Sequence, residues 1–175
     1  MAYIFKREPL TADETDRMIN ACQTGQEKLV VYGLLETGLR VGEFCALTPQ
    51  NFRWQERFVV VDGKGGPFGK STKKRSIPLS DRARSIFTTW FTINDKIPFG
   101  VRTVERIVLR IANRANITRR TTPHVLRHTF ACNCNRKGLS VRAIQMILGH
   151  DNIGTTAIYL NLFPEDVRKE FQEKW

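Results

Sequence analysis

A histidine, an arginine, a second histidine and a tyrosine follow one another in residues 122–159, TPHVLRHTFACNCNRKGLSVRAIQMILGHDNIGTTAIY. His124 and Arg127 are three residues apart, and residues at that spacing are neighbours on one face of a helix. Both side chains can therefore grip one anion. His150 follows a short helix that a glycine ends, and Tyr159 follows on what looks like one more helical turn.

A second arginine stands much earlier, in the segment TGLRVGE. Arg40 and Glu43 have the same helical spacing, so the carboxylate can hold the guanidinium in one orientation. A lone pair of this kind is most often a surface ion pair that contributes little to stability. Between the two blocks, residues 61–79 (VDGKGGPFGKSTKKRSIPL) form a glycine-rich hairpin that carries Lys64. Its lysines can reach a phosphate, or the hairpin is simply solvated.

These motifs, T-G-x-R-x-x-E, G-K-G, H-x-x-R-H, L-G-H and a following tyrosine, together resemble the catalytic domain of the tyrosine recombinase (phage integrase) family. The resemblance covers nearly the whole chain, and the motifs occur in the family's order. It implies a site-specific DNA recombinase or integrase domain. Such a domain cleaves and rejoins DNA strands through a 3′-phosphotyrosyl intermediate, without metal, cofactor or ATP.

The resemblance also implies a role for each matching residue. Tyr159 attacks the scissile DNA phosphate, and the 5′-hydroxyl leaves. Arg40 and Arg127 clamp the two non-bridging oxygens, a task that suits permanently charged, planar guanidinium groups. His124 is the general acid or base, and His150 donates a hydrogen bond near the phosphate.

The family's hairpin lysine protonates the departing 5′-oxygen, and Lys64 in G-K-G matches it. This loop inserts PFGKST before KKRSIPL, however, so Lys70 is a second candidate for that role. Two further residues support the site by resemblance: Glu43 holds Arg40, and His128 is structural.

The charge balance favours a polyanionic partner, for which double-stranded DNA is the natural choice. Lys and Arg number 28 against 17 Asp and Glu, giving a net charge of +11. Arg102, Arg106, Arg110 and Arg114 recur every four residues, and this stripe either tracks a phosphate backbone or keeps the helix soluble. The predicted DNA contacts are Lys70, Lys73, Lys74, Arg75, Arg119 and Arg120.

Several classes of protein do not fit the sequence. The N-terminus lacks the apolar core of a signal peptide, and no stretch approaches the roughly 20 apolar residues of a membrane span. A cytoplasmic location and no membrane partner are therefore expected. The four cysteines lack C-x-x-C spacing, so the sequence indicates neither a zinc ribbon nor a redox pair, and buried thiols are the simpler interpretation.

The hydrophobic pattern predicts a mixed α/β (α+β) fold that is mostly helical with a small three-stranded antiparallel sheet. Capping residues and apolar periodicity place the elements. Helices are expected at about 12–22, 26–37, from 40, at 80–94, 101–115, from 122 and from 140, and strands at about 51–54, 57–62 and 75–79.

At 175 residues, the chain fits one domain, and we expect residues 1–175 to be a single catalytic domain without the family's usual N-terminal clamp domain. The apolar tail, residues 160–175, either packs on a neighbouring protomer of a tetrameric synapse or folds back on its own protomer. Two alternatives to recombination stay open: a DNA-binding module of the same fold that does not recombine, and a type IB-like topoisomerase.

Overall fold

The computed structural model describes residues 8–62 and 74–149, and within these ranges it confirms the predicted fold class. Within the described residues, helices surround a main core, a smaller apolar cluster joins α6 to α7, and a small antiparallel sheet packs at the edge of the main core. The helices are α1 (Ala12–Asn20), α2 (Gly25–Thr37), α3 (Val41–Cys45), α4 (Asp81–Phe91), α5 (Val101–Arg114), α6 (Pro123–Arg136) and α7 (Val141–Leu148). The strands are β1 (Phe52–Arg53), β2 (Phe58–Asp62) and β3 (Lys74–Pro78), and a 3-10 turn, Pro49–Asn51, precedes β1.

The helix starts follow the predicted caps. Thr11 and Glu14 form the capping box of α1, and Ser80 caps α4 through a bond from the Ala83 N–H. Two helices end earlier than predicted, α1 at Asn20 instead of Cys22 and α4 at Phe91 instead of Asn94. In both, the second N–H after the helix, that of Cys22 or Ile93, donates to the carbonyl three residues earlier, which tightens the last turn.

Helix α2 is the centre of the core and packs against α4, α5 and α6. Its apolar side chains, Leu29, Val30, Val31, Leu34 and Leu35, are all buried. A Cβ at Gly33 would lie 2.6 Å from the ring of Phe44, so glycine there lets α3 approach α2 closely. The path from α2 to α3 is thereby fixed, and Arg40 lies on it.

The sheet has the order β1-β2-β3, and both pairings are antiparallel. Val59 of β2 stands opposite Ile77 of β3, and both side chains are fully buried against the helices. Because successive residues of a strand point to opposite faces, Arg75 lies on the same inward face as Ile77. Residues 63–73, which carry Lys64, Lys70 and Lys73, lie outside the described ranges.

Helices α1 and α5 are joined by arginines that bind each other's last carbonyls. Arg17 Nη1 donates to the Ala115 carbonyl and Arg114 Nη1 to the Ala21 carbonyl, each at 2.8 Å. Arg114 also binds Glu27, which is only 3% exposed. The hydrogen bond from Arg114 outweighs the burial of Glu27 and lowers the pKa of its carboxyl.

The predicted arginine stripe on α5 is therefore divided between two roles. Arg110 and Arg114 pair with buried Glu27, whereas Arg102 and Arg106 are exposed on the surface. None of the helices in the described ranges combines the length and apolar character that a membrane crossing needs.

We expect Glu27→Gln to lower the free energy of unfolding by about 2 kcal/mol at neutral pH, because a buried charge partner of two arginines is lost. Because folding lowers the pKa of Glu27, its stabilisation is complete above the carboxyl's ordinary value of 4.5 and declines as pH falls through the lowered value. Urea unfolding at several values between about pH 3 and pH 7 measures the free energy of unfolding of both proteins. Glu56→Gln, at an exposed position, is the control. If both variants lose the same unfolding free energy at neutral pH, the role given to Glu27 is contradicted.

Candidate active site

Three arginines from different parts of the chain donate hydrogen bonds to consecutive backbone carbonyls at the end of α7. The pairs are Arg75 Nε with Ile147 (2.8 Å), Arg127 Nη2 with Leu148 (2.6 Å) and Arg40 Nη2 with Gly149 (3.1 Å). The last carbonyls of a helix have no partner within it and carry a partial negative charge. Cations are therefore stabilised at this end of α7, and the fold brings them together there.

Glu43, in the first turn of α3, holds two of these arginines. Its Oε1 accepts from Arg40 Nη1 at 2.9 Å and from Arg75 Nη1 at 2.7 Å, while its Oε2 accepts from Arg75 Nη2 at 2.7 Å. Oε2 also accepts the backbone N–H of Arg40, at 2.8 Å. The predicted pair of Arg40 and Glu43 thus exists, but it is part of a buried cluster instead of a surface contact.

The electrostatics of Glu43 follow from this cluster. Only 9% of its side chain is exposed, and burial by itself raises the pKa of the carboxyl. Hydrogen bonds from Arg75 and Arg40 act in the opposite direction and hold the pKa below its ordinary value. Glu43 therefore stays ionised at neutral pH and keeps both guanidinium groups in fixed orientations.

Arg127 enters the same region from the second turn of α6, and the residue is 5% exposed. Its Nη1 donates to the Gly38 carbonyl at 2.5 Å, two residues before Arg40 in the chain. Gly38 ends α2 with φ of 62°, and a Cβ there would collide with the ring of Phe130. Glycine at this position is thus required both by the backbone conformation and by the packing around Arg127.

Two histidines of the sequence motif, His124 and His128, lie on α6. Thr122 and Pro123 start α6 as predicted, and His124 is exposed in its first turn, three residues before Arg127. His128 is half-buried on the same helix. Gly149 ends α7 at φ of 66°, directly before His150 in the sequence. His150 and Tyr159, like Lys64, lie outside the described residues.

A groove of about 630 Å³ opens next to the start of α6. Three exposed arginines line it, together with Glu105, Leu109 and residues 121–123; they are Arg102, Arg106 and Arg120. Their positive charge lies on the surface at a groove that ends at Pro123, the residue before His124 in the sequence, where an extended anion can reach it. Of the other predicted DNA contacts, Lys74 is exposed at the start of β3.

Two predicted DNA contacts have intramolecular partners in the structure. Arg119 pairs with Glu8 and Glu14 and donates to the Pro9 carbonyl at 2.7 Å, so it fastens the segment before α1 to the loop before α6. Arg75 is the third arginine of the α7 cluster. Their guanidinium groups make hydrogen bonds within the fold: Arg75 to the buried carboxylate of Glu43, and Arg119 to the Pro9 carbonyl and to partly or largely exposed carboxylates.

A model of the phage integrase family matches residues 8–166. The chain belongs to the phage integrase family. A tyrosine recombinase of Pseudothermotoga lettingae is 31% identical over 168 residues, which are 90% of this chain and 57% of that protein. A XerA recombinase crystal structure matches with a TM-score of 0.83 and 30% identity, covering 98% of this chain and 66% of that one. The Tn1549 transposon integrase in complex with circular intermediate DNA shares the fold, with a TM-score of 0.81, 21% identity and coverage of 98% and 68%.

The chain spans 57% of the length of the curated relative from Pseudothermotoga lettingae. Family membership agrees with the resemblance carried by the sequence motifs. Within the phage integrase fold, Arg40 precedes α3 and Arg127 lies on α6, and both side chains reach the end of α7. Glu43 of α3 binds Arg40, and His124 lies three residues before Arg127 on α6.

Arg75 is the site residue whose position the sequence interpretation missed. A local indication was present: Arg75 alternates with the apolar Ile77 along a predicted strand, which puts both on the inward face. An inward arginine needs a buried acceptor, and Glu43 is that acceptor.

No group of three or more His, Cys, Asp or Glu side chains placed to hold a metal ion occurs among residues 8–62 and 74–149. The cysteines are free thiols, as the sequence indicates. Burial raises the pKa of the Cys22 and Cys134 thiols to about 11, so neither is ionised at neutral pH.

We expect Gly149→Ala to destabilise the protein more than Gly138→Ala, by about 1–3 kcal/mol, because overpacking adds to the backbone cost. Both glycines have positive φ, 66° and 82°, so both substitutions carry the left-handed penalty. A Cβ at Gly149 would lie 2.9 Å from Arg75 Cδ, whereas nothing lies within 4 Å at Gly138. Urea unfolding of the two variants measures the difference, and equal costs would show that Arg75 yields freely.

Proposed function

We propose that this chain is the catalytic domain of a site-specific tyrosine recombinase that cleaves and rejoins double-stranded DNA. The observation that carries the proposal is the convergence of Arg40 and Arg127 on neighbouring carbonyls at the end of α7. Charge grows on the non-bridging oxygens of a phosphate during transfer, and two oriented guanidinium groups stabilise it. The exposed His124 three residues before Arg127 on the same helix supports a phosphate site near them.

The proposed chemistry exchanges one phosphodiester for another. Tyr159 Oη attacks the DNA phosphorus, a 3′-phosphotyrosyl bond forms, and the bond to the 5′-oxygen breaks. His124 takes part in proton transfer at the tyrosine, and Lys64 or Lys70 supplies the proton that the leaving 5′-oxygen receives. His150 donates a hydrogen bond to the phosphate. The bond energy is conserved in the protein link, so neither ATP nor a metal ion enters this scheme.

The partner follows from charge and from the surface beside the site. A net charge of +11 and the arginine-lined groove favour a long polyanion. The Tn1549 integrase, whose fold this chain shares, was solved with circular intermediate DNA. The proposal includes a homo-oligomer on DNA, a tetrameric synapse in which residues 160–175 pack on a neighbour, and a cytoplasmic location where such a substrate is present.

Covalent trapping tests the nucleophile. In EDTA, we expect the wild-type chain to form a covalent adduct with a labelled duplex that carries a bridging 5′-phosphorothiolate, because the sulfur leaving group blocks religation. The duplex is a pool with a randomised target region, and denaturing gels detect the adduct. Tyr159→Phe should lose it completely, since the attacking oxygen is removed.

Tyr32→Phe is the matched control for this experiment. Tyr32 lies on α2 beneath the guanidinium of Arg82, and its variant should keep the adduct, because Tyr32 has no role in the proposed chemistry. An adduct that persists in Tyr159→Phe would reject the assigned nucleophile. Salt-sensitive binding without any wild-type adduct would favour the DNA-binding module, and plasmid relaxation without strand exchange would favour the topoisomerase alternative.

Salt titration tests the groove. We expect Arg106→Ala to weaken binding to duplexes of any sequence and to reduce the slope of log K against log salt by about 1, because one phosphate contact is lost. Arg82→Ala is the control, since Arg82 is 58% exposed on α4 and pairs with Glu36. Equal slopes for the Arg106 variant and the wild type would place the DNA elsewhere.

A further inference from the structure

Arg75 uses three of its nitrogens at once. Nη1 and Nη2 donate to the two oxygens of Glu43, each at 2.7 Å, and Nε donates to the Ile147 carbonyl at 2.8 Å. Only 9% of its side chain is exposed. A planar guanidinium can make this set of bonds, but a lysine cannot, because an ammonium is a point charge at the end of a flexible stem.

These bonds tie together three elements that are distant in sequence. Arg75 lies on β3, Glu43 on α3, and Ile147 on α7, and β3 packs against α7. Arg75 also packs closely against Gly149 at the end of α7, where a Cβ would lie 2.9 Å from Arg75 Cδ. Arg75 therefore links α7 to both α3 and β3 through one guanidinium group, next to the link that Arg40 makes between Glu43 and Gly149.

The orientation of Arg40 depends on the same cluster. Arg40 is held by Glu43 through Nη1 and by the Gly149 carbonyl through Nη2, and 34% of its side chain is exposed. Without Arg75, the buried carboxylate of Glu43 would keep only this more exposed partner. A buried carboxylate with too few donors is destabilised and no longer held in one position, so Arg40 loses a fixed acceptor.

We propose that Arg75 is a positioning residue, which fixes Arg40 through Glu43 and the end of α7 through the Ile147 carbonyl. Arg75 itself does not touch the phosphate. Its consequence for DNA cleavage rests on the proposed function, in which Arg40 clamps a non-bridging oxygen. Arg75 is also the second residue after the segment 63–73, so this cluster anchors the strand that follows Lys64 and Lys70 in the chain.

Arg75→Lys tests the proposal, with Arg114→Lys as a closely matched control. Arg114 binds both oxygens of buried Glu27 and a helix-terminal carbonyl, that of Ala21, but it lies in the junction between α1 and α5. Both variants keep the positive charge but lose the planar guanidinium group that donates hydrogen bonds to both carboxylate oxygens. A loss of general stability affects both alike, whereas a loss of Arg40 orientation affects Arg75→Lys alone.

The first measurement needs no DNA. Nitrogen-15 NMR of the arginine side chains follows rotation of the Arg40 guanidinium, with the signal assigned from Arg40→Lys. We expect the Arg40 guanidinium to rotate about tenfold faster in Arg75→Lys, because Arg40 loses the net stabilisation of about one hydrogen bond, the one to Glu43. Arg114→Lys should leave the rotation rate of Arg40 within about twofold of the wild-type rate, because Arg114 shares no partner with Arg40. An unchanged Arg40 rate in Arg75→Lys overturns the proposal.

The second measurement is the single-turnover rate of covalent adduct formation on the trapped duplex. We expect Arg75→Lys to lower this rate by about 10–100-fold, with DNA affinity retained, because a small displacement of a positioned group is costly in the reaction. Combining Arg75→Lys with Glu43→Gln should cost little more than the larger single effect, since both act through one path.

Each outcome decides a different claim. Additive effects in the double variant, or an equal rate loss in Arg114→Lys, would overturn the path through Glu43. If the wild-type chain forms no adduct while Arg40 rotation still depends on Arg75, the positioning role stands and the proposed function fails. The NMR and adduct measurements therefore separate the two proposals.

Discussion

The carboxylate of Glu43 lies where water cannot replace a lost partner, since only 9% of its side chain is exposed, and this constrains everything around it. It needs cationic donors on both oxygens, and Arg40 and Arg75 supply them. Because those arginines also bind the end of α7, satisfying one buried charge fixes the relative positions of α3, β3 and α7. The proposed phosphate site is the place where these elements meet.

A second buried carboxylate, Glu27, has the same chemistry and another purpose. It lies on α2 and pairs with Arg110 and Arg114 of α5, so it helps to dock α5 against α2. The difference between the two clusters is their surroundings: the first adjoins the end of α7 and exposed Arg40, while the second lies within a helix junction. The chemistry of an ion pair therefore does not reveal its role without its position.

Much of the fold could be read from local sequence. Capping residues such as Thr11, Ser80 and Ser140 mark where helices start, because each accepts a backbone N–H that the helix leaves without a partner. Helix ends were harder to place: α1 and α4 stop early, since tightening of the last turn depends on how the following chain is packed. The partners of Arg75 and Arg119, which were predicted as DNA contacts, could not be read from the local sequence either, because both arginines bind residues that are distant in sequence.

The sequence by itself determined the pairs that lie within one helical turn, Arg40 with Glu43 and His124 near Arg127, since spacing along a helix is a local property. It also determined the family, through motifs in a fixed order. Only the tertiary structure decided which arginines bind acceptors inside the fold. Arg75, Arg114 and Arg119 look no different in sequence from Arg106, but a buried or partly buried acceptor must be met by whichever donor the packing brings close, and that depends on contacts between residues distant in sequence.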